Sequence, residues 1–217
     1  DGSITSSVRA SQTSGFSIVK YTGTSASTNT VGHGLNAEVQ FIMLKSNTAT
    51  DNWFCYHIGL DATSPANYDI SLNTTGARRD YDTWNDTKPT NSVFSVGNTG
   101  ASNENGRGYV AYCFAPVAGF SAFGSYEGNS GKNFQYTGFQ PRWIMIKTTS
   151  ITAYPAYTGW AIFDTSREPS NVNVTSLFAN NSNQEGKRGN NSTASAPDFG
   201  IDILSNGFCL RDNGASE

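Results

Sequence analysis

The chain has 217 residues, of which 36% are hydrophobic and 14% charged, with a formal net charge of -3 and a pI near 5.4. That length buries a real core in one large or two small domains. The faint acidity leaves no electrostatic footprint for nucleic acid, and no apolar stretch approaches the roughly 20 residues that span a membrane. Aromatics make up 12% of the chain, beside many Gly, Ser, Thr and Asn. Few charges, many turn formers and many aromatics describe an all-β protein with long polar loops; a disordered chain would lack the aromatics.

In chain order, the Ser/Thr-rich start Gly2–Ser14 reads as a lead-in from an upstream domain. Phe16–Tyr21 alternates apolar and polar side chains, as a half-buried strand does. Val39–Lys45 and Trp143–Lys147 are apolar runs ending in a Lys and suit strands buried on both faces. Further strands are expected at Trp53–Ile58, Tyr68–Leu72, Val93–Val96, Tyr109–Phe114, Phe120–Tyr126, Trp160–Phe163, Ile201–Leu204 and Phe208–Leu210. Turn chemistry separates them, including Gly32-His33-Gly34, Asn73-Thr74-Thr75-Gly76 and Ser205-Asn206-Gly207. No window has a clean helical period, though a short helical turn fits Asp61–Asn67 or Arg167–Asn171. Arg78–Ser92, Asn98–Gly108 and Asn180–Pro197 carry almost no core residues and read as loops. Many short strands with such turns predict a β-sandwich or jelly roll.

Landmarks recur in order about 100 residues apart. Gly15-Phe16-Ser17, Gly34-Leu35, Phe41–Lys45 and Trp53–Tyr56 answer to Gly119-Phe120-Ser121, Gly138-Phe139, Trp143–Lys147 and Trp160–Phe163. The period is too long for a solenoid, whose units run about 20–50 residues. It predicts two tandem homologous halves, residues 15–116 and 117–217, after the lead-in at 1–14. The second half lacks a counterpart of Tyr109–Phe114, so a last strand is expected to be missing and the chain reads as part of a longer polypeptide. The gap is open or filled by strand addition from another chain. Cys55, Cys113 and Cys209 sit singly in apolar segments, which fits buried free thiols.

No cofactor or metal site is expected. His33 and His57 are isolated from each other and form no cluster of the kind that zinc or general-base chemistry requires. His33 fits a turn whose glycines permit positive φ, and His57 a strand end. Asp80, Asp82 and Asp86 could supply oxygens to Ca²⁺, but without the loop glycine and terminal Glu of an EF-hand they read as a solvated acidic loop beside Arg78 and Arg79. Lys45 and Lys147 read as strand-end charges that discourage edge pairing. Trp53, Trp143 and Trp160 lie in strand runs and are expected in the core; Trp84, in a polar loop, is the expected surface ring. A sugar site would use Trp84 as a stacking face, with Asp82, Asn85 and Asp86 accepting hydroxyl hydrogens. Catalysis would need two carboxylates at a defined separation, so a polysaccharide-degrading enzyme is the weakest reading.

Gly15-Phe16-Ser17-Ile18-Val19, Tyr21-Thr22-Gly23-Thr24 and Thr30-Val31-Gly32-His33-Gly34-Leu35 resemble a duplicated β-rich module of bacteriophage tail-fibre-like and appendage proteins, particularly of aquatic phages. Tyr109–Ala115, Asp164-Thr165-Ser166-Arg167 and Asp202–Phe208 extend the resemblance over nearly the whole chain. It implies a non-enzymatic structural module of a tail fibre, spike or knob. The expected location is the virion surface, and the expected partners are other virion proteins and further copies of the chain, a trimer among the options. The second reading is a carbohydrate-binding module for cell-surface glycans, compatible with the first.

Overall fold

The computed structural model describes residues 2–128, 131–150, 159–182, 184–187 and 200–211. Every extended element pairs antiparallel, and the helical content of these residues is two 3-10 turns, Ile58–Leu60 and Pro65–Asn67. The second lies within the helical turn expected at Asp61–Asn67; around Arg167 the chain makes only a tight turn. Among the described residues no helix is long and apolar enough to cross a membrane. The described residues form two compact units: 1–72 with 78–125, and 73–77 with 126–217.

The first unit holds β1 (Ser6–Ser11), β2 (Phe16–Thr22), β3 (Asn29–Gly32), β4 (Phe41–Ser46), β5 (Phe54–His57), β6 (Tyr68–Ser71), β7 (Arg79–Asp80), β8 (Val93–Val96) and β9 (Gly108–Phe114). Seven of them make one sheet in the order β1-β2-β9-β4-β5-β6-β7, and β3 pairs with β8. Alternation along β2 and β9 turns Val19, Tyr21, Tyr109, Ala111 and Cys113 to one face. There they pack with Ile42, Leu44 and Tyr56 against Val31, Phe94 and Val96 of the β3·β8 layer, a two-layer sandwich core. The opposite face gathers Phe16, Phe41, Phe114 and Phe123, with ring centroids 4.9 to 6.5 Å apart. The stretch expected as a lead-in belongs to this unit: β1 pairs with β2 along its length, and Ile4 is buried beside Val31.

The second unit holds β10 (Asn133–Tyr136), β11 (Trp143–Lys147), β12 (Trp160–Asp164), β13 (Thr175–Ser176), β14 (Gly186–Lys187), β15 (Gly200–Leu204) and β16 (Gly207–Arg211). Its core sets Ile144, Ala161 and Phe163 against Ile201 and Ile203. Strand pairings of like register occur in both units. Phe41 faces His57 and Leu44 faces Phe54; Trp143 faces Asp164 and Ile146 faces Ala161. Asn29 faces Val96, as Asn133 faces Leu210. Cys55 faces Ile70, as Ile162 faces Leu177. Asp69 faces Arg79, as Ser176 faces Gly186.

Several expectations need correction. Phe120–Tyr126 is not a strand, because a strand needs a ladder. Its counterpart β2 is held between β1 and β9, and no strand stands in those places beside 120–126 among the described residues. Trp143 is 57% exposed, so β11 is not buried on both faces. The polar stretches also carry core: Thr83, Trp84, Ala101, Ser102 and Asn103 are buried. Asn103 fastens its loop by accepting from Thr24 N and donating to Ala26 O, both at 2.9 Å. Lys45 lies on an interior strand, where Nζ donates to the carbonyls of Ala49 and Asp51 and ties down its own hairpin loop. Lys147 Nζ does the same work toward Gly76 O at 2.9 Å and Thr148 O at 3.0 Å. Both lysines therefore satisfy loop carbonyls, which is a different task from blunting an edge.

Candidate functional site

The most organised surface of the first unit lies along β6, β7 and the loop that follows. Asp69 on β6 is almost wholly buried, and the Arg79 guanidinium on β7 grips it twice, Nε to Oδ1 at 2.9 Å and Nη2 to Oδ2 at 2.6 Å. Thr83 Oγ1 donates to the same carboxylate, which is thereby satisfied from three directions. The Asp69 bond raises the Arg79 pKa further above its ordinary value, so the cation is permanent. Held this way, the guanidinium lies over the rings of Tyr81 at 4.1 Å and Phe54 at 5.1 Å. Arg78 lies over Tyr68 at 4.2 Å and binds Asp61 Oδ2 at 3.2 Å. Asp61 is itself held well below the usual carboxylate range by the backbone N–H groups of Ser64 and Thr63, then by the Thr63 hydroxyl.

The result is a cation–aromatic ladder at a sheet edge, with the Tyr81 ring 41% exposed. A ring stacked on a guanidinium that a buried carboxylate holds has little rotamer freedom left to lose on binding, the condition for pre-organised recognition. The chain around it is tightly pinned. A Cβ on Gly97 would lie 1.9 Å from Asp82 O, so only glycine lets β8 pass this close to the loop. Gly97 N donates to Thr83 O at 3.1 Å.

Of the residues expected at a sugar site, Asp82 and Asp86 are exposed and Asn85 is half-buried, on the loop directly after Tyr81. Asn85 and Asp86 both adopt left-handed backbone, φ 49 and 47, and swing the loop over. Trp84 corrects the expectation: it is 1% exposed and meets the Tyr56 ring edge-on at 5.9 Å. No face of that indole is open to a sugar; Tyr81 is the exposed ring of this loop. Arg79 and Tyr81, two apart in an extended segment, lie on one side of the chain, and that spacing was the available sequence signal. What no sequence pattern gives is Asp69 beneath them.

The remaining titratable groups are structural. His33 is buried, its Nδ1 accepting from Leu35 N at 3.3 Å and its Nε2 facing Thr90 O at 3.2 Å, which fixes the neutral Nε2–H tautomer. Burial lowers its pKa, opposed by the Thr90 carbonyl. His57 Nδ1 accepts from Gly59 N at 2.9 Å and caps the Ile58–Leu60 turn, its ring edge-on to Phe41 and Phe123. Desolvation brings it down to about 4. Cys55 and Cys113 are buried free thiols; burial holds both far above the usual range, Cys113 at about 12. Cys209 is half-buried and also free. Among the described residues no three His, Cys, Asp or Glu side chains gather as a metal-binding group.

Fold and surface together define an antiparallel all-β sandwich protein with a polar, aromatic-bearing loop edge. The chain belongs to the family described as Domain of unknown function (DUF7483), whose profile matches residues 1–217. No curated protein and no solved structure matches it.

Proposed function

We propose that the chain is a non-enzymatic structural module of a phage virion appendage, contacting host-surface glycan through the β7 edge of its first unit. The appendage reading rests on the sequence resemblance. The contact reading rests on one observation: the exposed Tyr81 ring stacked on an Arg79 that is locked from below by buried Asp69. A saccharide presents C–H groups to an aromatic face and hydroxyls to carboxylates, and Asp82 and Asp86 stand exposed beside that ring. Extended pairing across seven strands gives the surface a rigid base. In the particle, other virion proteins and further copies of the chain, a trimer among the options, are the structural partners.

The test is a glycan array and whole-cell binding assay on bacterial hosts with wild type and Tyr81→Ala. Tyr81 is exposed, so the variant keeps the melting temperature while saturable binding falls at least about tenfold, the loss expected for one stacked ring. Undiminished binding by the variant, or no binding by wild type to any glycan or cell, overturns the contact reading.

A further inference from the structure

Residues 121–125 are the last of the first unit before the chain enters the second, and they lie against the outer face of the seven-stranded sheet. Their hold on that face is made by side chains. The Phe123 ring is 6.1 Å from Phe41, 6.5 Å from Phe114 and 6.2 Å from His57. Ser125 rests on Gly59, where a Cβ would come within 2.7 Å of the Ser125 Cβ. The turn before them is fixed by the backbone, Phe120 and Ser121 both donating to Val117 O at 2.9 Å. Among the described residues no backbone hydrogen bond ties 122–125 to a strand. His57, at the end of β5, meets this cover edge-on. Its Nδ1 accepts from Gly59 N at 2.9 Å, so the neutral ring carries its proton on Nε2. The one nitrogen able to take a second proton is therefore the one that holds Gly59.

We propose that residues 121–125 are an acid-released strap: a proton on His57 Nδ1 breaks the Gly59 cap and lifts Phe123 and Ser125 off the sheet, uncovering Phe41 and Phe114. A protonated Nδ1 points a donor at the Gly59 N–H, so Gly59 must shift, and Ser125 packs on that residue. No charged side chain compensates the imidazolium in place. β4 brings Phe41, the strap brings Phe123 and Ser125, and the turn brings Gly59. The acid and base next along, Asp61 and Arg78, hold each other at 3.2 Å. Water reaches the cation by moving Phe123, because Phe41 is fixed in ladders with both β5 and β9. Desolvation in the closed arrangement brings His57 down to about 4, against about 6.5 for a solvated ring. The released form thus takes up the proton first. The strap stays closed above pH 6.5, and its release is favoured by up to about 300-fold as pH falls from 6.5 through 4.

The test is NMR of the isotope-labelled whole chain, titrated from about pH 7 to about pH 3.5. The amide signals of Gly59, Phe123, Gly124 and Ser125 should move with the His57 ring along one curve. Cross-peaks between the Phe123 and Phe41 rings should vanish at the acid end, while those between Phe41 and Phe114 persist. Phe123→Ala should raise the proton affinity of His57 at least about tenfold, a midpoint shift of about one pH unit. His57→Asn, whose Oδ1 takes the place of Nδ1 on Gly59 N without titrating, should keep the Phe123–Phe41 cross-peaks at every pH. Strap signals that stay still while His57 titrates, an unchanged His57 midpoint in Phe123→Ala, equal opening in His57→Asn, or unfolding of the whole chain at the pH of release overturns the proposal.

Discussion

At the scale of single residues, Trp84 and Trp143 exchange the places their neighbours imply. Trp143 stands in an apolar run and is exposed; Trp84 stands among Asp, Thr and Asn and is buried. Flanking polarity reports the loop around Trp84, not the ring, which the left-handed turn at Asn85 and Asp86 helps fold back under the surface. Trp84→Ala should therefore cost stability, about 3–5 kcal/mol as for a large buried ring. Its indole nitrogen has no hydrogen-bond partner among the described residues, so Trp84→Phe should cost less than Trp84→Ala. Urea denaturation of the two variants checks this; an alanine variant as stable as wild type would contradict it. Tyr81, exposed and stacked on Arg79, was hidden for the opposite reason. Its value comes from Asp69, ten residues before Arg79 and brought opposite it only by the β6·β7 pairing.

At the scale of elements, those with alternating or apolar side chains were legible and those defined by backbone pairing alone were not. β2, β4, β5, β8 and β9 lie where the pattern puts them. β1, with an almost wholly exposed Ser-Ser-Val-Arg-Ala-Ser sequence, and the two-residue β7, β13 and β14 carry no such pattern and exist through their partners. Phe120–Tyr126 has the pattern but no strand ladder among the described residues, and is not a strand. The short turn between β5 and β6 adds a titrating joint. His57 caps it while neutral, and desolvation brings its folded pKa to about 4, below the usual unfolded value of about 6.5. The unfolded chain therefore takes up the proton first. This stability is complete above pH 6.5 and is lost as pH falls from 6.5 through 4, by on the order of 3 kcal/mol if the shift is realised in full. Chemical denaturation at a series of pH values should show the slope in wild type and a flatter one in His57→Gln. Equal slopes would remove His57 from the account.

At the scale of the whole molecule, each unit carries an antiparallel hairpin of like register, β4·β5 in the first and β11·β12 in the second. The all-β class was readable because it is written in side-chain pattern and turn chemistry. The cation–aromatic surface was not, because it joins Phe54, Asp69, Arg79 and Tyr81 through strand pairing. The sharpest contrast is between β4 and β11: β4 is paired on both sides, whereas among the described residues β11 pairs with β12 alone. Hydrogen exchange on the chain alone measures that contrast directly, since protection follows the stability of the local ladder. The amides of β11 that do not face β12 should exchange at least about a hundredfold faster than their counterparts in Phe41–Leu44. Equal protection of the two strands would contradict the account.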